Sequence, residues 1–306
     1  MKIRRIPFDI GQAMGIGVDF DFRWAYDEQT SLVGVGYSFY LEYIEYFCNF
    51  VSKYARPYID DQALLNHEQA FLTQEMHHAK AHKHLNSFLS AAPAIKDAFH
   101  PRIYPYLQSF HEAHYKPIMQ GIAEGKPSAL KDALFKIAVF ESKNCVSSFI
   151  FFEQLFLGSN FERTCASSGN IGILYLLAYH FAEEIEHCDI AVDMCQYIFQ
   201  EPVWNAARVQ SQIFDLHHAE QESLTAALHC AQQLGVKTDI DRLSSSPFMT
   251  FTKARQIELI NVDFDLNAGT VLEQRKFYVR HWDEVWEPAL RQRVLQQIEE
   301  RTAAID

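Results

Sequence analysis

The stretch His180-Phe181-Ala182-Glu183-Glu184-Ile185-Glu186-His187 decides the reading of this chain. On an α-helix, at about 100° per residue, His180, Glu184 and His187 fall within about 60° of one another. Three ligand-type side chains therefore converge on one spot. Leu176, Leu177, Phe181, Ile185 and Ile190 surround them and predict a helix buried against its neighbours. A carboxylate and two imidazoles are costly to bury alone, and a metal ion compensates them.

A second copy of the pattern gives the first its weight. In Gln74-Glu75-Met76-His77-His78, Glu75 and His78 repeat the i, i+3 spacing of Glu184 and His187. Each copy follows an apolar, helix-like segment that carries a carboxylate. Glu45 lies in Leu41-Glu42-Tyr43-Ile44-Glu45-Tyr46-Phe47, 30 residues before Glu75. Glu141 lies in Ile137-Ala138-Val139-Phe140-Glu141-Ser142, 43 residues before Glu184. The order Glu, Glu-x-x-His, Glu, Glu-x-x-His is the one by which ferritin-like four-helix bundles hold two iron or manganese ions. The fold class expected is therefore all-α, a ferritin-like four-helix bundle with additional helices.

Composition bounds the rest. The 306 residues, 48% hydrophobic and 22% charged, supply one large core, and 24 Phe with 14 Tyr make it aromatic. A formal net charge of −12 without a basic stripe argues against a nucleic-acid partner. No apolar run reaches the roughly 20 residues that cross a bilayer, and Met1 to Asp9 lacks the apolar run of a signal peptide. The six cysteines (48, 145, 165, 188, 195 and 230) show no Cys-x-x-Cys spacing. They read as reduced thiols in a cytoplasmic protein.

Along the chain, residues 1–30 read as irregular, with Phe20, Phe22, Trp24 and Tyr26 packing over the bundle. Helices are predicted over 31–54, ended by Arg56-Pro57, then from a cap at Asp60 or Asp61 to about Ser90. A segment over 104–123 should cross between the bundle halves. The Glu141 helix follows Gly125-Lys126-Pro127-Ser128 and runs to about Leu157, a loop spans 158–170, and one helix covers 172–199. Another helix starts at Pro202 and reaches about Leu234. Beyond Gly235 the pattern weakens: Ser244 to Pro247 breaks the chain, 263–269 reads as a loop, and 284–302 reads as a charged surface helix. The whole is read as a single domain over 1–306, with the metal-binding bundle at about 31–200 and accessory helices and a C-terminal cover at 201–306.

The first 200 residues resemble the bacterial family described as predicted metal-dependent hydrolases, which is ferritin-like. The matching pieces are Arg4-Arg5-Ile6-Pro7-Phe8-Asp9, the Phe71 to His82 segment with Gln74, Glu75 and His78, Asn86, and the His180 to His187 stretch. The ligand order also resembles that of the diiron arylamine N-oxygenases, in which a seventh ligand, a His four residues before the last Glu-x-x-His, joins the usual six. The resemblance implies the metal ligands Glu45, Glu75, His78, Glu141, His180, Glu184 and His187.

Each ligand has a plainer alternative. Glu42, one turn before Glu45, competes with it, and His180 would otherwise be a core or supporting histidine. His82 shares a face with Glu75 and His78 and reads as a supporting residue more than as a ligand. Glu183 and Glu186 point off the metal face, either solvated or holding imidazole N–H groups. His77, His84, His111, His114, His217 and His218 are expected at the surface, and Cys145 as a core thiol.

Carboxylates mixed with imidazoles suit iron or manganese, whereas structural zinc would be expected to bring Cys. Four carboxylates nearly neutralise two divalent ions, and carboxylates that shift as metals oxidise favour dioxygen activation. The expected function is a non-haem diiron oxygenase that uses O2 to oxidise a small organic substrate, with N-oxygenation of an amine the leading specific case. Its cofactors would be two iron ions, with manganese the other candidate. An external electron donor is implied, because no Gly-x-Gly-x-x-Gly fingerprint is present. A dinuclear metal-dependent hydrolase is the alternative, and a metal-binding oxidase-type protein without an organic substrate is the third. A homodimer is left open.

Overall fold

The structure, a computed structural model, describes residues 1–91, 112–113, 115–201, 203, 220–232, 234–260 and 269–304. The expectations for 104–111, for the first part of the helix after Pro202 and for the loop at 263–268 lie outside these residues. Among the described residues every regular element is helical, and the protein is an all-α helical bundle. Its helices are α1 (Ile10–Ala13), α2 (Glu28–Ala55), α3 (Gln62–Ala91), α4 (Lys116–Ala123), α5 (Pro127–Leu155), α6 (Asn160–Ser167), α7 (Ile171–His187) and α8 (Ile190–Phe199). They continue as α9 (220–232), α10 (Ile240–Ser244), α11 (Pro247–Ile260), α12 (Gly269–His281) and, after one π-helical turn at Trp282–Trp286, α13 (Glu287–Ala303).

Four long helices close a ring: α2 packs on α3, α3 on α7, α7 on α5, and α5 back on α2. Their starts follow from side-chain caps that satisfy free backbone donors. The Asp27 carboxylate accepts from the Thr30 amide at 2.8 Å, Asp61 from Leu64 at 2.9 Å, and the Asn170 amide oxygen from Ile173 at 3.2 Å. Asp61, rather than Asp60, caps α3. Proline opens α5 at Pro127, where a missing N–H costs nothing. Gly36 on α2 meets the backbone of α9: a Cβ there would lie 2.2 Å from the Ser223 carbonyl oxygen. Only a glycine lets the two helices approach this closely.

The remaining helices cover the ring. α11 lies on α5 and α2, α12 on α7 and α5, and α13 on α7 and α1. Aromatic side chains fill the seam, with Phe152 stacked on Trp286 at 5.2 Å between centroids. α13 is therefore more than a surface helix: Leu290 and Val294 are fully buried, and Trp282 and Trp286 just before it pack into the core. α12 also stands where no helix was expected.

Two further expectations change. The 158–170 loop contains α6, whose Phe161, Thr164 and Cys165 are buried. Two turns between glycines are too short for a helical period to show in sequence. The single helix expected over 172–199 breaks at Cys188 and Asp189 into α7 and α8. Arg275 of α12 holds the break. Its Nε donates to the Ile185 carbonyl at 3.1 Å and Nη2 to Glu186 at 3.4 Å, while Nη1 pairs with Asp189 at 2.8 Å. Carbonyls at a helix end need partners from outside the helix, and Arg275 supplies them. All six cysteines are free and buried, and no helix among the described residues is long and apolar enough to cross a membrane.

Candidate metal centre

The ring brings Glu45 from α2, Glu75 and His78 from α3, Glu141 from α5, and His180, Glu184 and His187 from α7 into one buried cluster. Their polar atoms form overlapping groups, each with its ligand-type atoms within 4.8 Å of one another. One group joins Glu45, His78, His180 and Glu184, and another joins Glu75, Glu184 and His187. Glu141 reaches the second group, 3.6 Å from His187 Nε2, and forms a third with Cys48 and Glu75. Glu184 Oε1 sits 3.4 Å from His78 Nδ1, 3.5 Å from His180 Nε2 and 3.2 Å from His187 Nε2. Glu75 Oε1 lies 3.6 Å from His78 and 3.1 Å from His187. Glu75 and Glu184 thus stand between two halves, one bearing Glu45, His78 and His180, the other Glu141 and His187.

Most of the inward atoms have no hydrogen-bond partner, the exception being His187 Nε2, which lies 3.2 Å from Glu184 Oε1 in hydrogen-bond geometry. Both oxygens of Glu45 and of Glu75, Glu141 Oε2, His78 Nδ1 and His180 Nε2 are buried without one. Buried polar atoms left so are costly, and a cation among them removes the cost. Burial pushes the Glu45, Glu75 and Glu141 carboxyls up, and for the latter two neighbouring carboxylates add to the rise. Burial opposes a charged His187, but Glu184 and Glu75 outweigh it and raise the imidazole. At Glu184 the same contest ends the other way, with His187 and His180 holding the carboxyl low against burial. The cluster alone must therefore keep protons that a metal ion would displace.

Hydrogen bonds behind the three imidazoles settle which nitrogen faces inward. Gln74 Nε2 donates to the Lys2 carbonyl at 3.2 Å and to Glu186 at 3.0 Å, so its oxygen must accept from His187 Nδ1 at 3.0 Å. His78 Nε2 donates to Glu183 at 3.0 Å. For His180 the chain is longer. Asn86 Nδ2 donates to Glu42 at 3.0 Å and to the Ser38 carbonyl at 3.0 Å, so Asn86 Oδ1 accepts from the Ser38 hydroxyl at 2.8 Å. Ser38 then accepts from His82 Nδ1 at 3.0 Å, and His82 Nε2 accepts from His180 Nδ1 at 3.2 Å. Burial, with His78 nearby, pushes His82 down to about 3, so it stays neutral as the chain requires. Each imidazole thus turns its other nitrogen towards the carboxylates, and displacing any proton held there would give the lone pair that a metal-ligating histidine requires.

The structure places each of the residues singled out from sequence that lie among the described residues. Glu45 rather than Glu42 enters the cluster, and Glu42 ends the His180 chain instead. His82 supports His180 and belongs to none of the groups. Glu183 holds an imidazole N–H, whereas Glu186 is neither solvated nor bound to one: it accepts from Gln74 and pairs with Arg4 at 2.8 Å. Cys145 is a buried thiol. His84 is exposed and His77 half-buried, while His111, His114, His217 and His218 lie outside the described residues.

Several side chains were not singled out from sequence. Cys48, one turn after Glu45, donates to Glu141 Oε1 at 3.5 Å. Asn144, one turn after Glu141, donates to Glu184 Oε2 at 2.9 Å. Their i+3 spacing from a proposed ligand was the available signal. Arg4 gave none beyond the resemblance, yet it joins Glu186 on α7 to Asp283 of the C-terminal cover at 3.0 Å.

A cavity of about 260 Å³ opens beside the cluster. Asn144 lines it with one side and touches Glu184 with the other, and Leu41, Phe140, Leu177 and Phe181 flank it next to the proposed ligands. Trp24 reaches its wall because Gly34 carries no side chain: a Cβ there would lie 2.3 Å from the indole. Lys143 also lines the cavity, and burial pushes its ammonium down to about 8.

No curated protein and no solved structure matches the chain. A family model described as "Predicted metal-dependent hydrolase" matches residues 3–258, from the strand of chain bearing Arg4 through all seven cluster residues to α11. By that match, the chain belongs to the family of predicted metal-dependent hydrolases.

Proposed function

We propose that this protein is a non-haem diiron oxygenase whose ligands are Glu45, Glu75, His78, Glu141, His180, Glu184 and His187. One observation carries the reading: a buried cluster in two halves, sharing Glu75 and Glu184, turns unpartnered carboxylate oxygens and the nitrogens of three imidazoles to its own centre. Two iron ions held there would supply the activation of O2 that oxidises a small organic substrate, N-oxygenation of an amine being the leading case. The nitrogen-rich half, with His78 and His180, differs from the half with His187 alone. The chain's own part is to hold the centre dry, to fix three imidazole tautomers, and to place substrate in the cavity beside Asn144. Electrons come from an external donor. Two metal ions nearly balance the four carboxylates, which buried side chains of this kind require.

The second reading is a dinuclear metal-dependent hydrolase, and the family's description favours it. The same residues would then hold metal ions that activate water rather than O2. Anaerobic loading with ferrous iron, metal counting, and then O2 uptake in the presence of candidate amines separates the two. Two irons per chain with O2 consumption tied to product formation supports the oxygenase. Turnover without O2, on manganese or zinc, sinks it and puts the hydrolase first. O2 reduction with no organic product leaves an oxidase-type iron protein.

A further inference from the structure

Among the described residues, the walls of the cavity beside the cluster carry a charge that they do not balance. Its surface is largely apolar, with Tyr37, Phe140, Phe151 and Phe181 among its walls. Among the described residues its ionisable side chains, apart from tyrosine, are Lys143, Lys253 and Glu220. Glu220 lies 3.5 Å from Lys253. Lys143 donates no hydrogen bond and forms no close ion pair among the described residues, so two ammonium groups face one carboxylate.

Position on α5 then gives the cavity a direction. Asn144 touches Glu184 at the end nearest the cluster. Lys143 projects about 100° round the helix from Asn144, and about 200° from Glu141, which places it on the side away from the proposed metals. An ammonium among aromatic walls is desolvated, and a charge-assisted hydrogen bond to an anion restores what it loses.

We propose that this cavity binds a small organic anion with an apolar body, its charged group held by Lys143 and its opposite end lying against Asn144 beside Glu184. The anion supplies the one negative charge that the described walls lack. As a statement about substrate the inference rests on the oxygenase reading, since it names the substrate class for that site; as a statement about binding it does not.

The test uses the full chain, metal-loaded without O2 and metal-stripped, titrated calorimetrically with phenylacetate, phenylacetamide and 2-phenylethylamine. Phenylacetate is expected to bind about tenfold or more tightly than the amide or the amine, the size of one charged hydrogen bond. K143M should bring phenylacetate down to the level of the amide in both metal states, and K143R should keep the preference. Equal binding of acid and amide, no binding of any probe, or an undiminished preference in K143M would overturn the proposal. So would a preference that disappears with the metal and ignores Lys143, because the metals would then hold the anion. Metal counts on the same samples report on the centre separately. A chain that holds no metal but keeps a Lys143-dependent preference sinks the oxygenase reading and leaves this one standing.

Discussion

Single side chains divide the cluster's work. Glu45 and Glu141 each serve one half, whereas Glu184 touches all three imidazoles. Glu45→Gln and Glu141→Gln should each leave roughly one metal ion per chain instead of roughly two, and Glu184→Gln should leave almost none. Metal analysis after desalting reads this directly; equal retention in all three variants would sink the shared role of Glu184. Ser38 touches no proposed ligand, yet it fixes the polarity of the chain from Glu42 through Asn86 and His82 to His180. Ser38→Ala frees His82 to turn its proton towards His180. Metal affinity should fall about tenfold or more, as for other losses of support behind a ligand, in a chelator-competition titration. His187, held by Gln74, gives the comparison, because its half should keep its affinity.

At the scale of elements, the α7–α8 break is held by one side chain 90 residues away. Arg275 is buried and gives its hydrogen bonds to two backbone carbonyls and Asp189. Arg275→Met keeps much of the stem but strands those acceptors, which should cost about 2 kcal/mol in denaturant unfolding of the metal-stripped protein. A loss within experimental error would mean that Arg275 does not hold the break. One turn into α8, burial and then Asp189 push the Asp193 carboxyl up to about 6. A raised carboxyl destabilises the fold when ionised, so the penalty is full above pH 6 and gone below the ordinary value of 3.8. Asp193→Asn should therefore stabilise the protein at pH 7, with the gain shrinking to nothing as pH falls through that window. Unfolding curves at a series of pH values check the sign.

Across the whole molecule, the cluster sits where all four ring helices face one another, so folding and metal binding are coupled. Apolar burial around the ring must overcome a core of carboxylates that resist burial, as their raised pKa values record. Metal-loaded protein at a hundredfold excess over its dissociation constant should gain about 2.7 kcal/mol over chelated protein. Lower pH should weaken loading, because ligands must lose protons to bind. Thermal unfolding with and without chelator, repeated at pH 6 and pH 8, measures both effects; a midpoint indifferent to metal would mean that the cluster is closed to ions.

By itself the sequence determined the all-α class, three of the four ring helices to within a few residues and the start of the fourth, and the seven side chains that meet. Helical spacing is a local property: a carboxylate and an imidazole three residues apart share a face wherever the helix packs. It also put Glu45 ahead of Glu42, though only through a resemblance. Tertiary structure alone decided the division into two halves around Glu75 and Glu184, since that depends on which helices are neighbours. It alone supplied the proton direction from Glu42 to His180, the break between α7 and α8 that Arg275 holds, the packing of α12 and α13, and the cavity that carries Lys143. Each of these joins residues far apart in the chain. No local period records such a contact, because the partner that creates it is brought near only by folding.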